Sequence, residues 1–176
     1  MQQSYDKIIR DYPDDRAMLM GDSAGGGLVL AFAQKLSKDK ALIQPEKIIL
    51  FSPWLALSMQ NPAIKQQEKL DKILSLKALI DAGKKYSRGE DLVHYLLSPI
   101  NGDCKNLGKI LVFYGTDELF YPDCKKLEEK TKGFGNFSFR EFKGMQHDWV
   151  IFPIPEAEEA LEMAVEYVIP ITCQHA

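Results

Sequence analysis

Apolar residues fall in short runs along the chain, and these runs alternate with segments of helical periodicity. The runs predict four β-strands, over residues 17–20, 47–54, 109–115 and 137–142. Apolar positions three and four residues apart predict helices over residues 5–12, 28–36, 70–85 and 123–132, and a last helix from Pro155 onwards. The apolar stripe of that last helix is predicted to be Leu161, Ala164, Val165 and Val168. Strands that alternate with helices predict an α/β fold, with a mostly parallel sheet and helices on both faces.

The first predicted strand runs directly into Gly21-Asp-Ser-Ala-Gly25, which fits the G-x-S-x-G pattern of a nucleophile elbow. A strand that turns at once into a helix strains the backbone of its apex residue, here Ser23, and exposes the side chain. Cβ atoms two residues before and after the apex would collide, so glycine is expected at both positions. The Ser23 hydroxyl would lie at a helix N-terminus, where the backbone N–H of Ala24 favours a developing negative charge. The alternative is a glycine-rich turn that only packs closely or holds a phosphate, but neither phosphate-binding glycine pattern is present.

A serine nucleophile needs a base, usually a histidine that a carboxylate holds in place. Of the three histidines, His175 lies in the C-terminal tail and His94 at a helix–loop junction. His147 follows the last predicted strand and precedes the last helix, so it is the candidate base. A lone loop histidine is more often simply solvated, and that alternative stays open.

The candidate acid is Asp117, which directly follows the clearest strand, at the sheet edge where active-site loops gather. A turn-forming aspartate is the alternative for this residue. Glu118 and Asp123 are rival acids a few residues away. The resulting chain order of Ser23, Asp117 and His147 is the order that α/β-hydrolases use.

Five stretches together resemble the hormone-sensitive-lipase-like group of α/β-hydrolases, also described as the α/β-hydrolase fold-3 family. They are Gly-Asp-Ser-Ala-Gly-Gly at 21–26, Leu-Phe-Ser-Pro-Trp at 50–54, Leu-Ser-Pro-Ile at 97–100, Gly-Thr-Asp-Glu-Leu at 115–119 and Gly-Met-Gln-His at 144–147. The resemblance covers essentially the whole chain and implies an α/β-hydrolase fold. The roles that it implies are nucleophile for Ser23, acid for Asp117, base for His147 and oxyanion donor for the N–H of Ala24.

The chain also departs from the family's pattern. Ala56 and Tyr121 stand where the family often has aspartate, and the family's upstream His-Gly-Gly-Gly oxyanion loop is not among the 176 residues. Strand 17–20 is apolar on both faces, which predicts an interior strand with more neighbours than the preceding residues can supply. We therefore interpret the sequence as the C-terminal portion of a hydrolase, truncated at its N-terminus. It is expected to form a single domain over residues 1–176, to contribute residues 55–90 to a cap, and to self-associate through its bare strand edge.

Composition restricts the partners and the compartment. The net charge of −3 gives no reason to expect nucleic acid or an anionic membrane. No apolar run approaches the ~20 residues of a membrane-spanning helix, and the first residues lack the apolar core of a signal peptide. Cys104, Cys124 and Cys173 lack metal-ligand spacing and are expected to be free thiols in a reducing compartment. A cytoplasmic protein is predicted, and the resemblance implies neither a metal nor an organic cofactor.

The resemblance implies a serine hydrolase that cleaves small-molecule carboxylic esters through an acyl-enzyme. Ser23 would attack the carbonyl, His147 would take the proton and return it, and Asp117 would hold the imidazolium. Two alternatives stay open. One is a non-catalytic or weakly active remnant that binds a partner through its exposed sheet edge. The other is an enzyme of the same kind that cleaves an amide or a peptide, since the elbow does not select the leaving group.

Overall fold

The computed structural model describes residues 1–39 and 42–169. Its helices are α1 (Gln2–Asp11), α2 (Ser23–Ser37), α3 (Ile64–Gln67), α4 (Leu76–Ser87), α5 (Tyr121–Lys130) and α6 (Pro155–Val168). Its strands are β1 (Met18–Asp22), β2 (Lys47–Phe51), β3 (Lys109–Gly115) and β4 (Phe137–Phe142), and two short 3₁₀ turns lie at Pro99–Asn101 and Trp149–Ile151. Cys173 and His175 lie outside the described residues. The predicted alternation of strands and helices is confirmed.

The four strands form one parallel sheet in the order β1-β2-β3-β4. The register pairs Gly21 with Leu50, and Phe51 with Phe113. Because the strands are parallel and in register, their carboxyl ends meet along one edge of the sheet. Every loop that carries a candidate catalytic residue leaves the sheet at that edge.

The two central strands are buried on both faces, which explains their continuous apolar runs. Ile48 and Leu50 of β2 face one core, where they pack with apolar residues of α2, β3 and α5. Ile49 and Phe51, which alternate with them, face a second core that contains residues of β3 and α6. The predicted helices on both sides of the sheet are therefore confirmed.

The first strand lies at an edge of the described sheet, as the bare strand edge predicted for it requires. Within residues 1–39 and 42–169, β1 pairs only with β2, so it forms one edge of the described sheet. Met18 and Met20 are 37% and 50% exposed. Helix α1 packs nearby through Tyr5, whose ring meets Phe32 of α2 edge-on at 5.3 Å.

The apolar stripe predicted for α6 is wrong in two of its four positions. Leu161 and Val165 are 46% and 60% exposed. The residues that α6 buries are instead Ala157, Ala160 and Ala164. Both sets have helical spacing, and alanines let the helix approach the sheet closely. Leu161 and Val165 are left on the outer side.

The long connection between β2 and β3 packs beside the carboxyl edge of the sheet. Its apolar residues form a separate cluster with the turn that follows β3, and the cluster includes Trp54, Met59, Ile64, Leu79 and Phe120. The rings of Trp54 and Phe120 stack with centroids 5.8 Å apart. Ser75 caps the start of α4 by accepting the N–H of Ala78 at 3.4 Å. The connection thus folds against the site rather than away from it.

Among the described residues, no helix has both the length and the apolar character that crossing a membrane requires.

Candidate active site

Ser23 occupies the sharp turn between β1 and α2. Its φ of +48° is left-handed, a strained conformation for a residue with a side chain. The backbone N–H of Trp54 donates to the Ser23 carbonyl at 2.8 Å and helps to fix the turn. The predicted elbow is therefore present in its strained form.

The glycines around Ser23 do not contribute equally to this turn. A Cβ on Gly21 would lie 2.5 Å from the backbone carbonyl carbon of Gly25, which is a collision. A Cβ on Gly25 would meet only the Asp22 carboxylate, at an ordinary 3.7 Å. Two glycines beyond the motif are also crowded, since a Cβ on Gly27 would lie 2.1 Å from the Trp54 carbonyl oxygen. The expectation that both motif glycines relieve a clash thus holds at position 21 but not at position 25.

His147 lies beside Ser23, as predicted, although the two residues are far apart in sequence. Its Nε2 lies 3.0 Å from Ser23 Oγ, and the residue is 4% exposed. The ring of Phe120 meets the imidazole edge-on, with centroids 5.0 Å apart. The histidine is therefore buried against an apolar wall and is not a solvated loop residue.

The carboxylate that holds His147 is Glu118, and the assignment of this position to Asp117 is wrong. Glu118 Oε2 lies 2.9 Å from His147 Nδ1, and its Oε1 accepts the Gly115 N–H at 2.8 Å. Asp117 instead accepts the hydroxyl hydrogen of Thr116 at 2.8 Å. The chain turns immediately after β3, so neighbouring side chains point in different directions. The longer side chain of Glu118 is directed inward and fully buried.

The rival acid Asp123 and the rival base His94 make other contacts. Asp123 accepts a hydrogen bond from the Asn61 amide at 2.9 Å and does not contact His147. The His94 ring packs on Tyr95 with centroids 4.9 Å apart. Among the described residues, no group of His, Cys, Asp or Glu could hold a metal ion.

Two further polar residues surround the histidine and its acid. Ser52 follows β2, has a φ of +42° and is fully buried. Its hydroxyl donates to Glu118 and accepts the backbone N–H of Asp148 at 3.2 Å. The Asp148 carboxylate lies 3.1 Å from His147 Nε2, on the same ring nitrogen that faces Ser23. The imidazole therefore has a carboxylate at each nitrogen.

These contacts shift the protonation of the buried pair. Burial alone lowers the pKa of His147, but the hydrogen bonds to Asp148 and Glu118 outweigh it and raise that pKa to about 9. Burial raises the pKa of Glu118 above its ordinary value. Its hydrogen bonds with His147, the Gly115 N–H and the Ser52 hydroxyl act in the opposite direction. The histidine thus favours its charged form more than an exposed histidine does.

An apolar pocket of about 370 Å³ opens beside the elbow. Its wall combines the start of α2 with residues of the β2–β3 connection, among them Ala24, Leu28, Trp54, Leu57, Tyr86 and Leu97. Leu28 and Tyr86 are 44% and 63% exposed, so the pocket presents apolar surface that is not yet covered. A group bound there would lie next to Ala24.

Sequence reasoning missed Ser52 and Asp148, and it named Glu118 only as one of two rivals of Asp117. Ser52 stood in the quoted Leu-Phe-Ser-Pro-Trp stretch, and Asp148 is the immediate neighbour of the predicted base. Adjacency in sequence was thus a usable signal for Asp148. No local pattern indicates that a serine after β2 would turn towards the acid after β3.

Comparison with known proteins places this geometry in a family. A family model described as alpha/beta hydrolase fold matches residues 5–151. An acetyl-hydrolase of Streptomyces hygroscopicus is 31% identical over 155 residues, which are 86% of this chain and 52% of the relative. An esterase of Acinetobacter venetianus is also 31% identical over 155 residues, 85% of this chain and 50% of that protein.

Solved structures agree with these relatives. A crystal structure from Staphylococcus aureus superposes with a TM-score of 0.89 at 29% identity, covering 96% of this chain and 57% of that one. The chain spans about half the length of the acetyl-hydrolase and the esterase that it matches. The match extends from α1 through the elbow, the acid turn and the histidine loop. The chain therefore belongs to the α/β-hydrolase fold-3 family.

Proposed function

We propose that this chain carries the catalytic residues of a serine hydrolase that cleaves carboxylic esters. The observation that carries the proposal is one continuous relay of hydrogen-bonding groups. Ser23 Oγ lies 3.0 Å from His147 Nε2, and His147 Nδ1 lies 2.9 Å from Glu118. This is the order of contacts that nucleophile, base and acid need.

In the neutral imidazole, Nδ1–H donates to Glu118, and Nε2 can accept the Ser23 proton. Ser23 Oγ then attacks the ester carbonyl, and the proton moves to Nε2. When the tetrahedral intermediate collapses, the same proton passes to the leaving alcohol and the acyl group stays on Ser23. Water, activated by His147, then releases the acid product. Glu118 stabilises the imidazolium in both steps.

The negative charge on the attacked oxygen needs donors that are already in position. The N–H of Ala24, at the first turn of α2, is one such donor. The family resemblance places further donors in a His-Gly-Gly-Gly loop upstream of the elbow, and that loop is not within these 176 residues. We therefore infer that a segment equivalent to that loop completes the oxyanion site.

The apolar pocket beside Ala24 supports an ester as the substrate. Its volume of about 370 Å³ suits an apolar acyl or alcohol group of modest size. The two relatives, an acetyl-hydrolase and an esterase, agree with this class. Because α4 contributes Tyr86 to the wall, we propose that residues 55–90 form part of the cap over the substrate.

The test is covalent labelling with an alkyl fluorophosphonate, read by intact mass and by peptide mapping. We expect one adduct on Ser23 and none in Ser23→Ala. The matched control is Ser37→Ala, which removes a hydroxyl from the far end of α2, where it donates to the Gln34 carbonyl. That variant should label like the wild-type chain. Equal labelling of Ser23→Ala would overturn the nucleophile.

The second candidate is a remnant that folds without turnover. The observation that favours it is the coverage of only 50–52% of the curated relatives. A folded chain whose Ser23 resists labelling, with or without an added upstream half of a relative, would support the remnant. Labelling that appears only with the upstream half would support the enzyme.

A further inference from the structure

We propose that Asp148 is a positioning residue of this site: a second carboxylate that holds the imidazolium form of His147 and thereby sets the protonation state of the base. Its role in catalysis rests on the proposed function, but its effect on the histidine can be measured without turnover. The proposal differs from the triad itself, since the third member of the triad, Glu118, contacts the other ring nitrogen.

The contacts at Nε2 are the first step of the argument. Asp148 Oδ2 lies 3.1 Å from Nε2, and Ser23 Oγ lies 3.0 Å from the same atom. When His147 is protonated, its Nε2–H can be shared between the carboxylate and the serine oxygen. When it is neutral, the lone pair on Nε2 faces a carboxylate oxygen, which is a repulsive arrangement. Asp148 therefore favours the proton on Nε2.

The backbone at Asp148 is held in place by contacts on both sides of the residue. Asp148 has a φ of +51°, and its backbone N–H is bound to the Ser52 hydroxyl. The next residue, Trp149, is 1% exposed and packs on Phe142 with ring centroids 5.1 Å apart. The side chain of Asp148 is only 15% exposed. The backbone of Asp148 is therefore anchored beside the imidazole.

His147 is also the partner that the Asp148 charge needs. Within the described residues, the ion pair with His147 is the one recorded for Asp148, and its other oxygen, Oδ1, is buried without a hydrogen-bond partner. A carboxylate in such a place is stabilised chiefly by a nearby positive charge. The imidazolium supplies that charge, so the Asp148 carboxylate and the protonated form of His147 stabilise each other.

The other groups around the imidazole do not replace this effect. Glu118, from the turn after β3, faces Nδ1 and adds a second negative charge. Asp71, from the β2–β3 connection, uses its carboxylate to accept the N–H groups of Ile73, Leu74 and Leu119. Phe120 and Ser23 are uncharged. In the described part of the chain, no lysine or arginine forms an ion pair with Glu118 or Asp148.

A histidine with a carboxylate at both nitrogens should act as a base only at alkaline pH. The pKa of about 9 that burial and these contacts give His147 agrees with this. The same carboxylate would stabilise the imidazolium that forms when Ser23 is deprotonated. Asp148 would thus lower activity at neutral pH and make His147 a stronger proton acceptor.

The experiment is a proton NMR titration of the His147 Cε1–H resonance in the full chain. Substituting His94 and His175 by Gln leaves a single histidine signal. We expect a midpoint near 9 in that background. Asp148→Asn should lower the midpoint by about one pH unit or more. Asp148→Glu, which keeps the charge, should retain most of the elevation. Asp117→Asn is the matched control, because it removes a charge from a nearby loop without a contact to His147, and it should leave the midpoint unchanged.

Two results would overturn the proposal. One is a wild-type midpoint at or below 6.5, which needs no variant and so survives any failure of Asp148→Asn to fold. The other is a folded Asp148→Asn chain that titrates like the parent. Failure of Ser23 to react with a fluorophosphonate at any pH, both alone and with an added upstream half of a relative, would instead reject the proposed function and leave the titration result standing.

Discussion

The elbow around Ser23 and the pair of loops around His147 are built in different ways. The turn at Ser23 is specified mainly by neighbours in sequence, since the crowding that requires glycine at position 21 comes from Gly25, although Trp54 also binds the Ser23 carbonyl. The histidine site is assembled from distant segments: His147 lies 124 residues from Ser23 and 29 from Glu118. A local feature of this kind can be recognised in a sequence as a motif. An assembled one depends on how each loop leaves the sheet.

Substitution of the two carboxylates after β3, Asp117 and Glu118, is the strongest test of this comparison. Glu118→Gln should slow fluorophosphonate labelling of Ser23 by a factor on the order of 10³–10⁴, as for other triad acids, because the imidazole loses its orientation and its counter-charge. Asp117→Asn should change the rate by less than about tenfold, since Asp117 contacts Thr116 and not His147. Rates are compared at the high-pH plateau of each protein. If Asp117→Asn proved the slower variant, the loop geometry described here would be wrong.

The motif glycines provide the second contrast, which is one of stability. Gly21→Ala should lower the free energy of unfolding by about 3 kcal/mol, because its Cβ would overlap backbone that cannot move aside cheaply. Gly25→Ala, in the first turn of α2, has room for its Cβ and should be neutral or stabilising by up to about 1 kcal/mol. Urea unfolding followed by circular dichroism measures both. Equal losses of unfolding free energy in the two variants would show that both glycines relieve a clash.

The fold and the site were open to sequence reasoning to different degrees. Strands β3 and β4 were predicted at their observed bounds. Strand β3 is buried on both faces and is a continuous apolar run, whereas β4 alternates between less and more exposed residues along most of its length. The carboxylate that contacts His147 was not predicted correctly. Asp117 and Glu118 have equivalent chemistry, and only the geometry of the turn after β3 decides which of them faces His147. The buried face of α6 was also misread, because periodicity marks two candidate stripes and does not weigh the depth of packing. Long-range geometry, not residue type, decided each of these cases.

The pH dependence of the free energy of unfolding tests the contacts around His147. A histidine whose pKa is raised on folding stabilises the native state fully below its unfolded pKa of about 6.5. That stabilisation is lost as pH rises through about 9, the pKa of His147 in the fold. We therefore expect the free energy of unfolding to decrease between about pH 6.5 and 9, and the decrease to be smaller in His147→Gln. Urea titrations at several pH values measure it, and a stability that rises over this window would contradict the coupling.

The smallest expected effects separate the two faces of α6, where the sequence pattern was ambiguous. Ala160 is fully buried against the sheet, so Ala160→Leu should overpack that core and cost about 1–3 kcal/mol. Its neighbour Leu161 is 46% exposed, and Leu161→Ser should change stability by no more than about 0.5 kcal/mol. Thermal and urea unfolding of the two variants, with Ala160→Gly to separate overpacking from loss of contact, give the comparison. If Leu161→Ser cost more than Ala160→Leu, the larger residues would form the buried face after all, as the sequence pattern first indicated. The order expected here would show that small residues, by permitting close approach, fix which side of the helix meets the sheet.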